Sequence, residues 1–434
     1  MKIQAEPDLP ISQHQVSYFK GALASASLSS NVESWDETIA PLRKDIADAM
    51  NSKHLSFLLG SGASSARTED GKELGIPTMA PMAAAFYGDT SGDGLTGDER
   101  SSLSETIGID LTPSEYGANL ELLMETLYGA RFILERSVNS DARESLKVVD
   151  GIIKKVTNCI KRMCTMGEFA RGDGTVLSTY TQFYRRLIQR DRALPRPWVF
   201  TTNYDLFNET AMDRAGIPYI NGFLGSIERR FNPAVFRYAL SEQLDLASRK
   251  WSSVDSLVYF CKLHGSISWE SRGDGLFPVV ETHPDLITSD QLLIYPTPAK
   301  QNASFASPYS DMFREFQTRV AREQSVLIIL GYGFGDQHVN NIIFQALTIP
   351  TFRLVVFADP GNAVVRRLRE LRDPRVWIIG TEDGSADWKG HYFSNFVEQF
   401  MASEGDDPAD LAIERVLEDL LMRGTVRAGD NDDE

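Results

Sequence analysis

The sequence is short of cysteine, of basic charge and of long apolar runs, and each shortage excludes something. Its 434 residues include only Cys159, Cys164 and Cys261, too few for a disulfide framework or a four-cysteine zinc site. None of them forms a Cys-x-x-Cys pair. Lys and Arg number 44 against 60 Asp and Glu, a formal net charge of −16. A surface that acidic repels phosphate backbones, and the strongest basic cluster, Arg229 and Arg230 with Arg237 nearby, is too small for a nucleic-acid stripe. Direct nucleic-acid binding is not expected. The longest strongly apolar run, residues 326–330, falls far short of the ~20 residues a membrane helix needs. Residues 1–15 hold no apolar stretch of the secretory kind. The expectation is a cytoplasmic chain away from membranes. Its composition, 42% hydrophobic and 24% charged, is ordinary for a globular protein with a sizeable core.

What is present is a series of short apolar runs, at residues 55–59, 198–200, 257–263, 326–330 and 354–357. Such runs, each closed by glycine or a polar tip, predict buried strands of a parallel sheet. Helical spacing follows several of them, as in Val339, Ile342, Ile343 and Leu347. The fold class is therefore α/β, with a Rossmann-like open parallel sheet over residues 51–110 and 191–402. Between them, residues 111–190 turn helical, with Leu120, Leu123, Met124 and Leu127 on one face, and are expected to be an inserted helical module. Residues 1–50 are expected to form an N-terminal helical segment, and 403–434 a C-terminal amphipathic helix with an acidic tail. The stripe on that last helix is Ile413, Val416, Leu417 and Leu420.

The chemistry is expected at the strand tips, because ligands of open α/β sheets bind beyond the carboxyl ends of the strands. The first run passes into Gly60, Ser61, Gly62, Ala63 and Ser64, where glycines let backbone approach a pyrophosphate; a tight turn without ligand is the alternative. The second closes in Thr201, Thr202, Asn203, Tyr204 and Asp205. Asn203 can donate and accept, and Asp205 can orient a neighbour, although either can also cap a helix. The third closes in His264 and Gly265, a candidate general base followed by a flexible turn. The fourth gives Gly331, Tyr332, Gly333, Phe334, Gly335 and Asp336 before His338; a cap at Asp336 competes with a second catalytic role for His338. The fifth ends in Asp359, a carboxylate able to hold ribose or ring hydroxyls.

One such tip is commonplace, but this series in this order resembles the sirtuin family. Residues 60–64 are similar to its first NAD-binding loop, Asn203 and Asp205 to its Asn-x-Asp motif, and His264 with Gly265 to its catalytic His-Gly. Gly75, Ile76 and Pro77 are similar to the Gly-Ile-Pro that follows the loop. The resemblance spans about residues 51–80 and 196–360. It departs from deacylase sirtuins in lacking the two zinc-holding Cys-x-x-Cys pairs and any recognisable acyl-lysine channel motif. The inserted helices and the tip at 331–336 look more like sirtuin-like NADases of bacterial anti-phage defence, above all the small subunit that pairs with a HerA-type ATPase.

That resemblance implies an NAD+ hydrolase yielding nicotinamide and ADP-ribose, an NAD-depleting effector of abortive infection. NAD would be substrate more than cofactor, with no metal. Catalysis would fall to Asn203, His264 and Asp205, and binding to Gly60, Ser61, Gly62, Ala63, Ser64, Thr202, Gly331, Tyr332 and Asp359. A homo-oligomer is expected, restrained until a co-encoded activator such as the ATPase acts. An NAD-dependent protein deacylase and a non-catalytic nucleotide-binding assembly subunit remain the alternatives.

Overall fold

A computed structural model describes residues 13–401, except 22–25, 32–33, 68–72, 89–93, 112–113, 166–173, 246–249, 273–276, 288–290, 294–306 and 383–387. The expected C-terminal helix and tail lie outside the described residues. A nine-stranded sheet forms the centre. Its strands are β1 (Gln13–Lys20), β2 (Ala26–Asn31), β3 (His54–Leu59), β4 (Trp198–Thr201), β5 (Tyr219–Ile220), β6 (Val258–Lys262), β7 (Ser325–Leu330), β8 (Arg353–Phe357) and β9 (Val376–Gly380). Their order is β2-β1-β9-β8-β7-β3-β4-β6-β5, parallel from β9 to β5.

All five apolar runs of the sequence are strands here. β3 and β7 are apolar on both faces because both faces are covered. Their side chains alternate between two cores, Leu55, Phe57, Val326, Ile328 and Leu330 on one side and Leu58, Leu327 and Ile329 on the other. The chain builds outward from β3 through β4 to β6, then crosses back and builds the other way through β7, β8 and β9. This doubly wound order opens a crevice beyond the carboxyl ends of β3 and β7, where the winding reverses.

Twelve α-helices occur among the described residues. Of the expected N-terminal helical segment, residues 1–50, the described part is helical from Trp35, as the amphipathic spacing there predicts. The helix α1 (Trp35–Met50) is present, but β1 and β2 precede it as an antiparallel hairpin on β9. Among the described side chains of β1 only Val16 is fully buried, so a strand this polar carries no apolar run to betray it.

Helices follow from Met79 onward: α2 (Met79–Gly88), α3 (Gly97–Ile107), α4 (Ser114–Ala118), α5 (Leu120–Leu134), α6 (Ala142–Thr165) and α7 (Thr175–Ile188). The last of these packs on the sheet itself, with Phe183 edge-on to Phe57 of β3 at 5.1 Å. It is thus the crossover helix leading into β4. Beyond β4 come α8 (Phe207–Ala215), α9 (Tyr309–Val320), α10 (Gln337–Ala346), α11 (Ala363–Glu370) and α12 (Phe393–Phe400). A smaller antiparallel sheet springs from the end of β6 through the strand Gly265–Ser271.

Candidate active site

The tips of β3, β4, β6 and β7 meet around one cavity of about 360 Å³. Ser61, Ser64, Thr202, Asn203, Asp205, His264 and Tyr332, all singled out in the sequence, line it. Ile76 and Pro77 line it too. The helical stretch closes it with Met79 and Met82 of α2, the amino end of α5, and Ile160 and Cys164 of α6.

The glycines do something other than expected. After β3 the chain makes a single 3-10 turn, Ser61–Ser64, and then a short strand, so no long helix begins there. The amides of Gly60, Gly62 and Ala63 donate to the carbonyls of Leu330, Gly331 and Gly60, at 2.9 Å each. Those three N–H groups are spent within the protein and do not stand ready for a pyrophosphate. What requires glycine is the crossing of two backbones. A Cβ on Gly60 would lie 2.5 Å from the Gly331 carbonyl oxygen, and one on Gly331, at φ +63°, 2.3 Å from the Ala63 nitrogen. Gly60, Gly62, Ala63 and Gly331 therefore fasten β3 to β7 and are absent from the lining. Asp359 is not brought to the cavity either: its Oδ1 accepts the Gly361 amide at 2.8 Å in an exposed turn.

Asn203 is 7% exposed and fully oriented. Its Nδ2 donates to the Gly60 carbonyl and to Ser64 Oγ, both at 2.9 Å. Both amide hydrogens are used, so what Asn203 can offer a ligand is its carbonyl oxygen, an acceptor. The Ser64 hydroxyl donates to Asp205 Oδ2 at 2.7 Å. Its one proton is spent there, so the phenol of Tyr180, 3.0 Å away, is the donor of that pair. Asp205 also accepts the Phe207 amide through Oδ1, at 3.1 Å, fixing the start of α8. Asp205 thus acts on Asn203 through Ser64, and the chain of bonds is buried throughout. Burial and the Asp205 charge push the Tyr180 phenol and the Cys164 thiol well above their ordinary ranges, keeping both protonated.

His264 follows β6 where the chain leaves for the smaller sheet; Gly265, at φ +92°, makes that turn. The imidazole Nε2 lies 2.9 Å from Asp336 Oδ2, both side chains under 10% exposed. The other oxygen of Asp336 accepts the amides of His338 and Val339, at 2.7 and 3.1 Å, and so caps α10. The competing readings of this tip resolve toward the cap. His338 is outside the cavity lining, its ring edge-on to Phe313 at 4.4 Å.

Beneath the tips, Lys262 of β6 is 1% exposed and pairs with Glu209 of α8 at 2.9 Å. Its ammonium also donates to the Asp205 carbonyl and to Ser266 Oγ, holding the Asp205 backbone down. Burial pushes the Glu209 carboxyl up to about 7 in spite of Lys262. Sequence reasoning places the helical insertion, which contains α6, over the crevice, but missed Tyr180, Lys262, Glu209, the α2 wall, and the reach of Asp336 to His264. No spacing signals them, since each meets the tips only through the tertiary fold. Among the described residues, no three His, Cys, Asp or Glu side chains are grouped to hold a metal ion, and no helix is long and apolar enough to cross a membrane.

The segment that carries most of these tips is similar to sirtuins. Residues 197–370 match the SIR2-like domain family, and SIR2-like domains bind NAD. The match begins at β4 and includes the tips carrying Asn203, His264 and Asp336; the loop after β3 joins them in space. No curated protein matches the chain. Among solved structures, one of cytosolic 5′-nucleotidase IIIB bound to cytidine aligns at 10% identity over 83% of this chain and 90% of that one. Its TM-score of 0.28 is too low to describe either the fold or the activity of this chain.

Proposed function

We propose that the protein is an NAD+ glycohydrolase, converting NAD and water to nicotinamide, ADP-ribose and a proton. The observation that carries this reading is the convergence of two oriented groups on one cavity of a SIR2-like domain. These are the His264 imidazole, backed by Asp336, and the Asn203 carbonyl oxygen, locked by Gly60 and by Ser64 on Asp205. Breaking the bond from nicotinamide to ribose builds positive charge on the sugar, as in glycoside hydrolysis. A hydroxyl or water that loses its proton to His264 favours that charge, and Asp336 stabilises the imidazolium so formed. Asn203 accepts from the same hydroxyl or water and fixes its direction.

NAD is the substrate, and no step requires a metal. Ser61, Thr202 and Tyr332 would hold it from the lining. Three cysteines without a Cys-x-x-Cys pair also favour hydrolysis over deacylation, since the zinc module of deacylase sirtuins cannot be built. The biological reading is an NAD-depleting defence effector, assembled as a homo-oligomer and held back until a co-encoded partner such as a HerA-type ATPase acts. Unrestrained hydrolysis of NAD would kill the cell making it. The test is to incubate the full chain with NAD and no acylated peptide, alone and with its co-encoded neighbour. Nicotinamide and ADP-ribose in equal amounts support the reading. Turnover only when an acyl-lysine peptide is supplied would establish the deacylase instead.

A further inference from the structure

At the other end of the sheet, beside the amino ends of β3 and β4, lies a second cavity of about 310 Å³. By the rise of a six-residue strand it is roughly 20 Å from the first. His54 and Trp198, the first residues of β3 and β4, border it, and Arg196, Arg237, Arg319 and Arg322 supply four guanidinium groups. In a chain with a net charge of −16, such a gathering of cations is unusual.

The charges around this cavity do not balance. Arg196 pairs with Asp255, and Arg319 with Glu315 at 3.1 Å. Arg237 and Arg322 have no ion pair among the described residues. The neighbouring Arg190 spends its guanidinium on the backbone carbonyls of Met50, Ser52 and Pro195. The field is felt by His54, whose imidazole is pushed down to about 4 by burial and by Arg322, Lys53, Arg190 and Arg319. Clustered cations repel one another, and an anion placed among them relieves that cost.

The volume is enough for a small ligand, and the forked guanidinium matches phosphate oxygens two at a time. The aromatic wall is already occupied. Tyr259 stacks on Trp198 at 4.6 Å, and Arg319 lies over its ring at 4.2 Å. The cavity therefore offers chiefly guanidinium groups, its Trp198 ring being already covered.

The geometry points to a polyphosphate-binding site here, separate from the NAD cavity, in which Arg237 and Arg322 hold phosphate groups of a ligand carrying two or more of them. The phosphates alone are recognised, so inorganic tripolyphosphate and a nucleoside triphosphate are bound through the same contacts.

Isothermal titration of the full chain at low salt tests this with tripolyphosphate, ATP and adenosine. The variants are Arg237→Glu with Arg322→Glu, and Arg314→Glu, an exposed arginine of α9 outside the cavity that controls for charge reversal elsewhere on the surface. Tripolyphosphate is expected to bind, and the double variant to weaken it by roughly tenfold or more while Arg314→Glu leaves it within about twofold. Adenosine is expected not to bind. ATP binding as tightly as tripolyphosphate marks a site that reads phosphate only. ATP binding tighter, with the same dependence on Arg237 and Arg322, marks a nucleotide as the occupant, with phosphate recognition upheld. No heat from tripolyphosphate or ATP at about 1 mM, or an equal loss in all the charge variants, overturns the proposal.

Discussion

At the scale of single residues, Asp336 serves two partners with one carboxyl group. One oxygen caps α10 and the other faces His264. Asparagine caps a helix about as well as aspartate but brings no charge to an imidazolium. Asp336→Asn is therefore expected to keep its melting temperature and lose about 10²–10⁴-fold in nicotinamide release, measured as initial rates beside thermal melts. An equal loss of stability would show that the carboxyl serves only the cap. Glu209 gives a pH signature. Its folded carboxyl titrates near 7 against 4.5 for the ordinary group, because burial outweighs the help of Lys262. Between those values the folded chain keeps a proton that the unfolded chain has released. That contribution is present at acidic pH and is lost as pH rises toward 7, by up to about 1.4 kcal/mol per pH unit. Denaturant melts from pH 5 to 8 should thus show the margin of wild type over Glu209→Gln shrinking with rising pH, and a constant margin would count against it.

At the scale of elements, the candidate site depends on β3 and β7 being fastened at Gly60 and Gly331. Gly331→Ala puts a Cβ against the Ala63 nitrogen in a left-handed conformation, so it should cost more than about 1 kcal/mol in urea unfolding. It should also slow NAD turnover by displacing the loop that carries Ser64. An unfolding midpoint equal to wild type would mean that the crossing is loose. The strand tips were legible because buried parallel strands are apolar on both faces and end in polar residues. That pattern places Asn203, Asp205 and His264 at strand tips, and the resemblance to sirtuins gives them their roles. Three things could not be read this way. β9 has an apolar run, Val376 to Ile379, as good as the others, but it ends in no reactive residue that draws notice. The Gly60 loop carries glycine for a backbone crossing, which in sequence looks the same as glycine for a phosphate. Asp336 and His264 stand 72 positions apart (336 − 264), and only the reversal of winding at β3 and β7 brings them together.

At the scale of the whole molecule, the sheet carries the candidate active-site cavity at the carboxyl ends of its strands and the cationic cavity at the amino ends. All three cysteines are buried thiols outside any disulfide, two on α6 and one in β6, and none forms a Cys-x-x-Cys pair for zinc. Elemental analysis of the purified protein should therefore find well under one zinc per chain, and a tightly bound equivalent would refute this. The stripe Ile413, Val416, Leu417 and Leu420 lies outside the described residues. If that stripe joins subunits, Val416→Glu with Leu420→Glu should lower the mass seen by light scattering, since buried unpaired charges cost several kcal/mol each. An unchanged mass would direct attention to α2–α6 instead. The central claim is that one cavity, built by Asn203 and His264, cleaves NAD. It is tested most directly by the rate of nicotinamide release from wild type, Asn203→Ala and His264→Ala, each verified as folded and each assayed with the co-encoded neighbour. The account predicts release by wild type and a fall of about 10²–10⁴-fold in both variants. Near-normal release by either folded variant, or none by wild type under any of these conditions, would contradict it.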